Sequence, residues 1–190
     1  MSEHFLILHP ADPHTAPERE PLLARLRDCG LIGAPLAESD GARFAPGDNF
    51  LELITFLGCS PVVALGAPGS TGESFCHIGV AGSSSAPRFY GGDNVKPPAC
   101  PACRQRLSGW REAVREWEAS GRQGGWRCSS CGELQPFTAL NWRRSAGVAR
   151  LFIEIAGVFE SEAIPADALW DVLDGVGVGP WRHFYSRFDR

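Results

Sequence analysis

Four cysteines in two Cys-x-x-Cys pairs constrain this chain more than any other feature. Cys100-Pro101-Ala102-Cys103 and Cys128-Ser129-Ser130-Cys131 are separated by 24 residues. Two residues between cysteines let a tight turn aim both sulfurs at one point. The N–H groups of such a turn can also donate to the sulfurs and spread their charge. A divalent metal of zinc's size takes four thiolates at ~2.3 Å in a tetrahedron, a closed set with no position left for water or substrate. Gly132, directly after Cys131, frees the second turn to take a positive φ; Arg104 holds the corresponding place in the first. The same donors serve iron. The Cys-Pro-x-Cys string of the first pair also suits thiol–disulfide exchange. The second pair, and the lack of a strand directly before the first, argue against exchange.

Cys100-Pro101-Ala102-Cys103 and Trp126-Arg127-Cys128-Ser129-Ser130-Cys131-Gly132 resemble the paired knuckles of zinc ribbons and of the rubredoxin-like fold. The resemblance covers roughly 35 of the 190 residues and is specific for metal ligation, not for a function. It implies that Cys100, Cys103, Cys128 and Cys131 are the ligands. Two departures stand out: Arg104 where these knuckles often carry Gly, and a spacer somewhat long for a minimal ribbon. An inserted helix accounts for the spacer, with Trp110, Ala113, Val114 and Trp117 at i, i+3, i+4, i+7 and Gly121 ending it. The remainder of the chain resembles no family.

At 190 residues the chain suits one domain, or one with a small insertion. Its 44% hydrophobic and 21% charged residues are those of a globular protein and exclude wholesale disorder. No apolar run approaches the ~20 residues of a membrane span. Met1 to His9 shows no basic, apolar and cleavage pattern of a signal peptide, so a cytoplasmic location is expected. Net charge is −4, unevenly placed. Residues 100–150 hold nine Arg and four acids, a formal +5, leaving −9 for the rest. Four thiolates on a divalent ion lower the +5 to +3, a mild basic face on an acidic protein. Lys96 is the one lysine beside 17 arginines, so arginine richness is partly a habit of composition.

Phe5 to Leu8 reads as a buried strand and Pro21–Cys29 as a helix burying Leu22, Leu23 and Leu26, with Gly30 at its left-handed end. Asp48 is placed to cap a second helix carrying Phe50, Leu53, Ile54 and Leu57. Strands are expected at Val62–Leu65 and Phe75–Ala81, with Arg88–Tyr90 pairing to the latter. Beyond a turn-rich boundary at 91–99 and the Cys-rich segment, strand pattern returns at Phe137–Trp142 and Arg150–Phe159. A helix over Pro165–Asp174 buries Leu169, Trp170, Val172 and Leu173, and Trp181–Phe188 is a last strand. The fold class is therefore α+β: a mixed sheet with flanking helices and an inserted zinc-ribbon-like module. Residues 1–95 and 137–190 are expected to form one domain together and 96–136 the insert, in preference to an N-terminal domain, a zinc module and a C-terminal domain in series, since pieces of ~50 residues build poor cores alone.

Other motifs carry less. Ala67 to Ser74 nearly spells a phosphate-binding loop, but Glu73 stands where the pattern needs lysine, which excludes nucleotide hydrolysis. Cys29, Cys59 and Cys76 read as buried free thiols. Cys76 and His77 are strand neighbours that point to opposite faces. His9 and His14 flank Pro10 and Pro13 in an expected loop, and Glu154 is expected to face solvent. Two function classes remain. The first is a non-catalytic binding or scaffold protein with one structural zinc. Arg104, Arg106, Arg111, Arg115, Arg127, Trp142, Arg143 and Arg144 would meet its partner, a protein rather than nucleic acid. The second is an enzyme: a rubredoxin-like iron or thiol redox protein, or a hydrolase with a site around Glu154, His77 or His183.

Overall fold

A computed structural model describes residues 2–36, 42–57 and 75–189. The apolar run at the start forms the middle of the longest strand, β1 (Ser2–Pro10). It pairs along its whole length with the last strand of the chain, β12 (Trp181–Asp189), from Ser2↔Asp189 to Pro10↔Trp181. Its other edge pairs with β10 (Ile153–Ala156), from Phe5↔Ala156 to Leu8↔Ile153. Three further strands, β5 (Ile78–Val80), β3 (Arg43–Pro46) and β2 (Ile32–Pro35), complete a six-stranded sheet in the order β12-β1-β10-β5-β3-β2.

The expected mixed sheet is corrected here: every strand pairing among the described residues is antiparallel. A parallel pair needs a long crossover connection. This sheet instead sets strands from the two ends of the chain side by side in opposite directions.

Alternation along the strands separates two faces. Leu6, Leu8, Ile78, Val80, Ile153 and Ile155 point into the main core with Leu22, Leu23 and Leu26 of α1 (Arg19–Asp28) and Leu169 and Leu173 of α4 (Asp167–Asp174). On the opposite face Ile7 packs with Ala149, Phe152 and Phe184 in a smaller cluster. The end of α1 follows its sequence signal. Gly30 takes φ 78°, its N–H donates to Arg27 O, and Leu31 N–H reaches back to Leu26 O.

The second predicted helix is cut short. α2 spans only Phe50–Leu53, with Asn49 rather than Asp48 at its N-cap, and Ile54 opens strand β4 (Ile54–Phe56). β4 pairs with β11 (Ala163–Pro165), so a long-range strand partner overrides the local helical spacing. The strand expected at 75–81 shrinks to β5. Arg88–Tyr90, β6, pairs not with it but with β9 (Gly147–Ala149). The Phe137–Trp142 strand is replaced by a 3-10 turn at Phe137–Ala139 and a single bridge from Asn141 to Ala99. The predicted strand at Val62–Leu65 and the loop Ala67–Ser74 lie outside the described residues.

The β6·β9 ribbon joins two cores. Phe89 and Val148, opposite each other in register, face the hydrophobic cluster of the Cys-rich segment. Tyr90 and Ala149 turn to the small cluster on the sheet. The Cys-rich cluster gathers Trp110, Ala113, Val114 and Trp117 of α3 (Trp110–Ala119) around Leu107, Cys100 and Cys128. It also takes in Val95, Phe137, Leu140, Trp142 and Ala146, so its packing runs beyond residues 96–136 on both sides.

Candidate metal centre

Both cysteine turns are built on the same hydrogen bonds. In the first, Arg104 N–H donates to Cys100 O and Cys100 N–H to Gln105 O, each at 2.9 Å. In the second, Gly132 N–H donates to Cys128 O and Cys128 N–H to Glu133 O, again at 2.9 Å. The fifth residue of each turn lies in the left-handed region, Arg104 at φ 62° and Gly132 at φ 75°.

Short antiparallel pairings fix where the turns sit. The second turn caps a hairpin of β7 (Gly125–Arg127) and β8 (Leu134–Pro136). Ahead of the first, Ala99 exchanges both backbone hydrogen bonds with Asn141 and also bridges to Arg106. Beneath them Trp117 stacks on Phe137 at 4.7 Å and Trp110 meets Trp142 edge-on at 5.6 Å.

The four sulfurs converge. All lie within 4.8 Å of one another, and the cross-turn pairs Cys100–Cys131 and Cys103–Cys128 stand at 3.9 and 3.7 Å. A tetrahedron with ~2.3 Å metal–sulfur bonds has sulfur–sulfur edges of about 3.8 Å. These separations are far longer than a ~2.05 Å disulfide bond, and the four cysteines are free. Cys100 and Cys128 are buried, Cys103 and Cys131 exposed.

Hydrogen bonds from the Cys131 and Ser130 N–H groups hold the Cys128 thiol down to about 7. Cys131 moves the other way, up to about 12: the Glu133 N–H favours its thiolate, but burial and the neighbouring sulfurs outweigh that. Four thiolates this close would repel one another, and a divalent cation among them can offset that charge. The cluster can hold a metal ion.

Comparison with known proteins is silent. No protein-family model, no curated protein and no solved structure matches the chain. The reading of the site therefore rests on its own geometry.

The partner-contact residues named from sequence fall in three settings. Arg104, Arg106, Arg111, Arg115 and Arg127 are exposed on the Cys-rich segment. Arg111 lies over the Trp110 ring at 4.5 Å, Arg115 pairs with Glu112, and Arg127 donates to Gly132 O. Trp142 is 4% exposed inside the aromatic cluster, so its ring serves packing. Arg143 and Arg144, half-buried and exposed respectively, stand apart from the others at the rim of a cleft of about 630 Å³, with His9, His14, Arg182 and His183. Sequence spacing offered no sign of that meeting, because it joins three segments far apart in the chain.

The other candidates separate similarly. His9 is not in a loop but at the end of β1, 8% exposed, donating from Nδ1 to Pro10 O. Cys76 is buried, Cys29 half-buried, and Cys59 lies outside the described residues. The His77 ring bonds the Phe75 carbonyl. Glu154 does not face open solvent. It is half-buried on the smaller-core face, opposite Gly79, where burial raises its carboxyl while a hydrogen bond with Tyr90 opposes the rise. No described helix is long and apolar enough to cross a membrane.

Proposed function

We propose that the chain holds one zinc ion at Cys100, Cys103, Cys128 and Cys131 as a structural centre. On this reading 96–136 is a zinc-ribbon-like insert in an α+β domain formed by 1–95 and 137–190, and the protein is a non-catalytic binding or scaffold module. The observation that carries this is the spacing of the sulfurs, with cross-turn edges of 3.7 and 3.9 Å that suit a tetrahedral ion. Four sulfur donors complete the coordination and leave no place for a reacting water or substrate. The short contacts run across the turns rather than within a Cys-x-x-Cys pair, which favours a shared ion over a dithiol redox pair. Thiolate ligands also need a reducing compartment, in keeping with the cytoplasm.

The partner we infer is a protein. Exposed Arg104, Arg106, Arg111, Arg115, Arg127 and Arg144 offer charge-assisted hydrogen bonds of the kind found at interface hot spots. Single-stranded nucleic acid would need open aromatic faces. Trp110, Trp117 and Trp142 are only 7%, 6% and 4% exposed, and the whole chain is acidic.

Metal content by mass spectrometry, with a visible spectrum of the same untagged sample, tests the centre. One colourless zinc per chain is expected. Iron with a reddish colour would replace this reading by a rubredoxin-like redox protein, and absence of any metal with four reactive thiols would end it. A salt titration of partner binding tests the second part, since phosphate contacts give a steep loss of affinity with salt.

A further inference from the structure

The cleft of about 630 Å³ lies where the segment leaving the Cys-rich cluster crosses the end of the main sheet. Its walls come from three places: the end of β1 with His9 and the turn after it with His14, the start of β12 with Arg182 and His183, and the stretch carrying Arg143 and Arg144. Among the described residues no acidic side chain lines it. Arg143, Arg144 and Arg182 make no ion pair among the described residues, whereas Arg115, Arg187 and Lys96 elsewhere each do. Three arginines with no ion pair among the described residues therefore line one concavity of a protein whose net charge is −4.

Two details show that the arrangement is held against a cost. Arg143 and Arg144 are consecutive residues at φ 50° and 58°, a region where an L side chain is strained. The chain is rich in glycine, yet puts arginine at both positions. Their backbone is fixed by neighbours: Arg143 N–H donates to Asn141 Oδ1 at 2.9 Å and Arg144 O accepts from Tyr185 N–H at 3.3 Å. Strain of this kind persists where the surroundings over-determine it, and it clusters at ligand sites. The Arg143 Nε is also buried with no hydrogen-bond partner among the described residues, as are the Nε atoms of Arg88 and Arg187 elsewhere.

We propose that this cleft binds the phosphate group of a small phosphomonoester, with Arg143, Arg144 and Arg182 as its cationic contacts. A single carboxylate is satisfied by one guanidinium fork. A phosphate dianion offers three oxygens and enough charge for guanidinium groups arriving from several directions. The volume is that of a small-molecule site, and among the described residues no phenylalanine or tyrosine and only a buried tryptophan, Trp142, lines the cleft. His9 is an uncharged wall at neutral pH, its pKa pushed down to about 4 by burial and then by Arg182 and His183. The inference does not depend on the metal's identity or on the protein-partner reading, although it uses two of the same arginines.

Titration calorimetry on the full, metal-loaded chain in low-salt buffer tests it, with inorganic phosphate, adenosine 5′-monophosphate and a twelve-residue oligodeoxythymidine as probes. The monophosphate is expected to saturate one site and to bind more tightly than inorganic phosphate. The R143G/R144G double variant should lose at least tenfold in affinity while its Tm holds or rises, because glycine relieves both backbones. R182A, at an exposed strand position, should lose affinity without touching the strained turn. R122G, the same exchange at a positive φ outside the cleft, should bind like the parent. No saturable binding of the monophosphate overturns the proposal, as does an R122G loss equal to that of the double variant. Inorganic phosphate binding as tightly as the monophosphate removes the organic ligand. Binding of the oligonucleotide alone makes the cleft part of a nucleic-acid groove instead.

Discussion

Arg104 and Gly132 occupy the same place in two copies of one turn, and both hold a left-handed backbone, at φ 62° and 75°. Each donates its N–H to the carbonyl of the first cysteine of its pair, Cys100 or Cys128, at 2.9 Å. A Cβ on Gly132 would meet nothing within 4 Å, so any penalty for a side chain there is backbone strain alone. Gly132→Val should therefore cost about 1–2 kcal/mol and weaken metal retention. Arg104→Gly should gain up to about 1 kcal/mol, the relieved strain less the added freedom of the unfolded chain. Thermal melts of the two variants, with metal content measured alongside, check both signs. A Gly132→Val protein as stable as the parent would show that the turn geometry is not needed.

Removing one ligand should act on a region rather than on the whole chain. Cys128 is buried in the same cluster as Trp110, Trp117 and Trp142, so Cys128→Ser is expected to release the metal and loosen residues 100–136. The main core draws on β1, β5, β10, α1 and α4, with none of those side chains in the Cys-rich cluster. Hydrogen exchange should then show lost protection over 100–136 and retained protection at Leu6, Leu8, Ile153 and Ile155. Stoichiometric metal and unchanged melting in this variant would sink the ligand assignment.

Acid should expose His9. Its folded pKa is held at about 4 against 6.5, chiefly by burial, so the unfolded chain binds this proton first. Stability from this group is complete above 6.5 and is lost as pH falls from there toward 4. At about 1.4 kcal/mol per pH unit the loss reaches about 3 kcal/mol. His9→Asn keeps a donor for the Pro10 carbonyl but does not titrate. Denaturant melts at pH 7 and pH 4.5 should show a smaller acid loss for the variant than for the parent. Equal losses would mean that His9 charges freely in the fold.

Glu154 should act with the opposite sign. Burial raises its folded pKa above the ordinary 4.5, against the pull of Tyr90, Arg88 and Arg43. The folded state then holds the proton more tightly than the unfolded state. Its contribution is complete below 4.5 and is lost as pH rises through the folded value. Glu154→Gln, neutral throughout, should be more stable than the parent at pH 8, with the advantage shrinking toward pH 4. An advantage that does not change with pH would attribute it to packing instead.

The local parts of this protein were legible in its residues. Cys-x-x-Cys spacing, the apolar run Phe5–Leu8, the α3 stripe Trp110–Ala113–Val114–Trp117 and the Gly30 stop each depend on neighbours within about a turn or a strand. Sterics and hydrogen bonding between near neighbours therefore suffice to specify them. The convergence of Cys100 and Cys103 on Cys128 and Cys131 was legible too, because metal-ligand chemistry leaves two such turns few other uses. Long-range pairing decided the rest. Ile54 continues the helical spacing of Phe50 and Leu53, yet it enters a strand because Pro165 lies opposite it. Arg88–Tyr90 took Gly147–Ala149 as its partner over a nearer strand. Glu154 lies half-buried near Tyr90 and Arg43, and Arg143, Arg144 and Arg182 line one cleft, only because distant segments meet. Such pairings are settled by the burial of whole faces, which no short window of sequence contains.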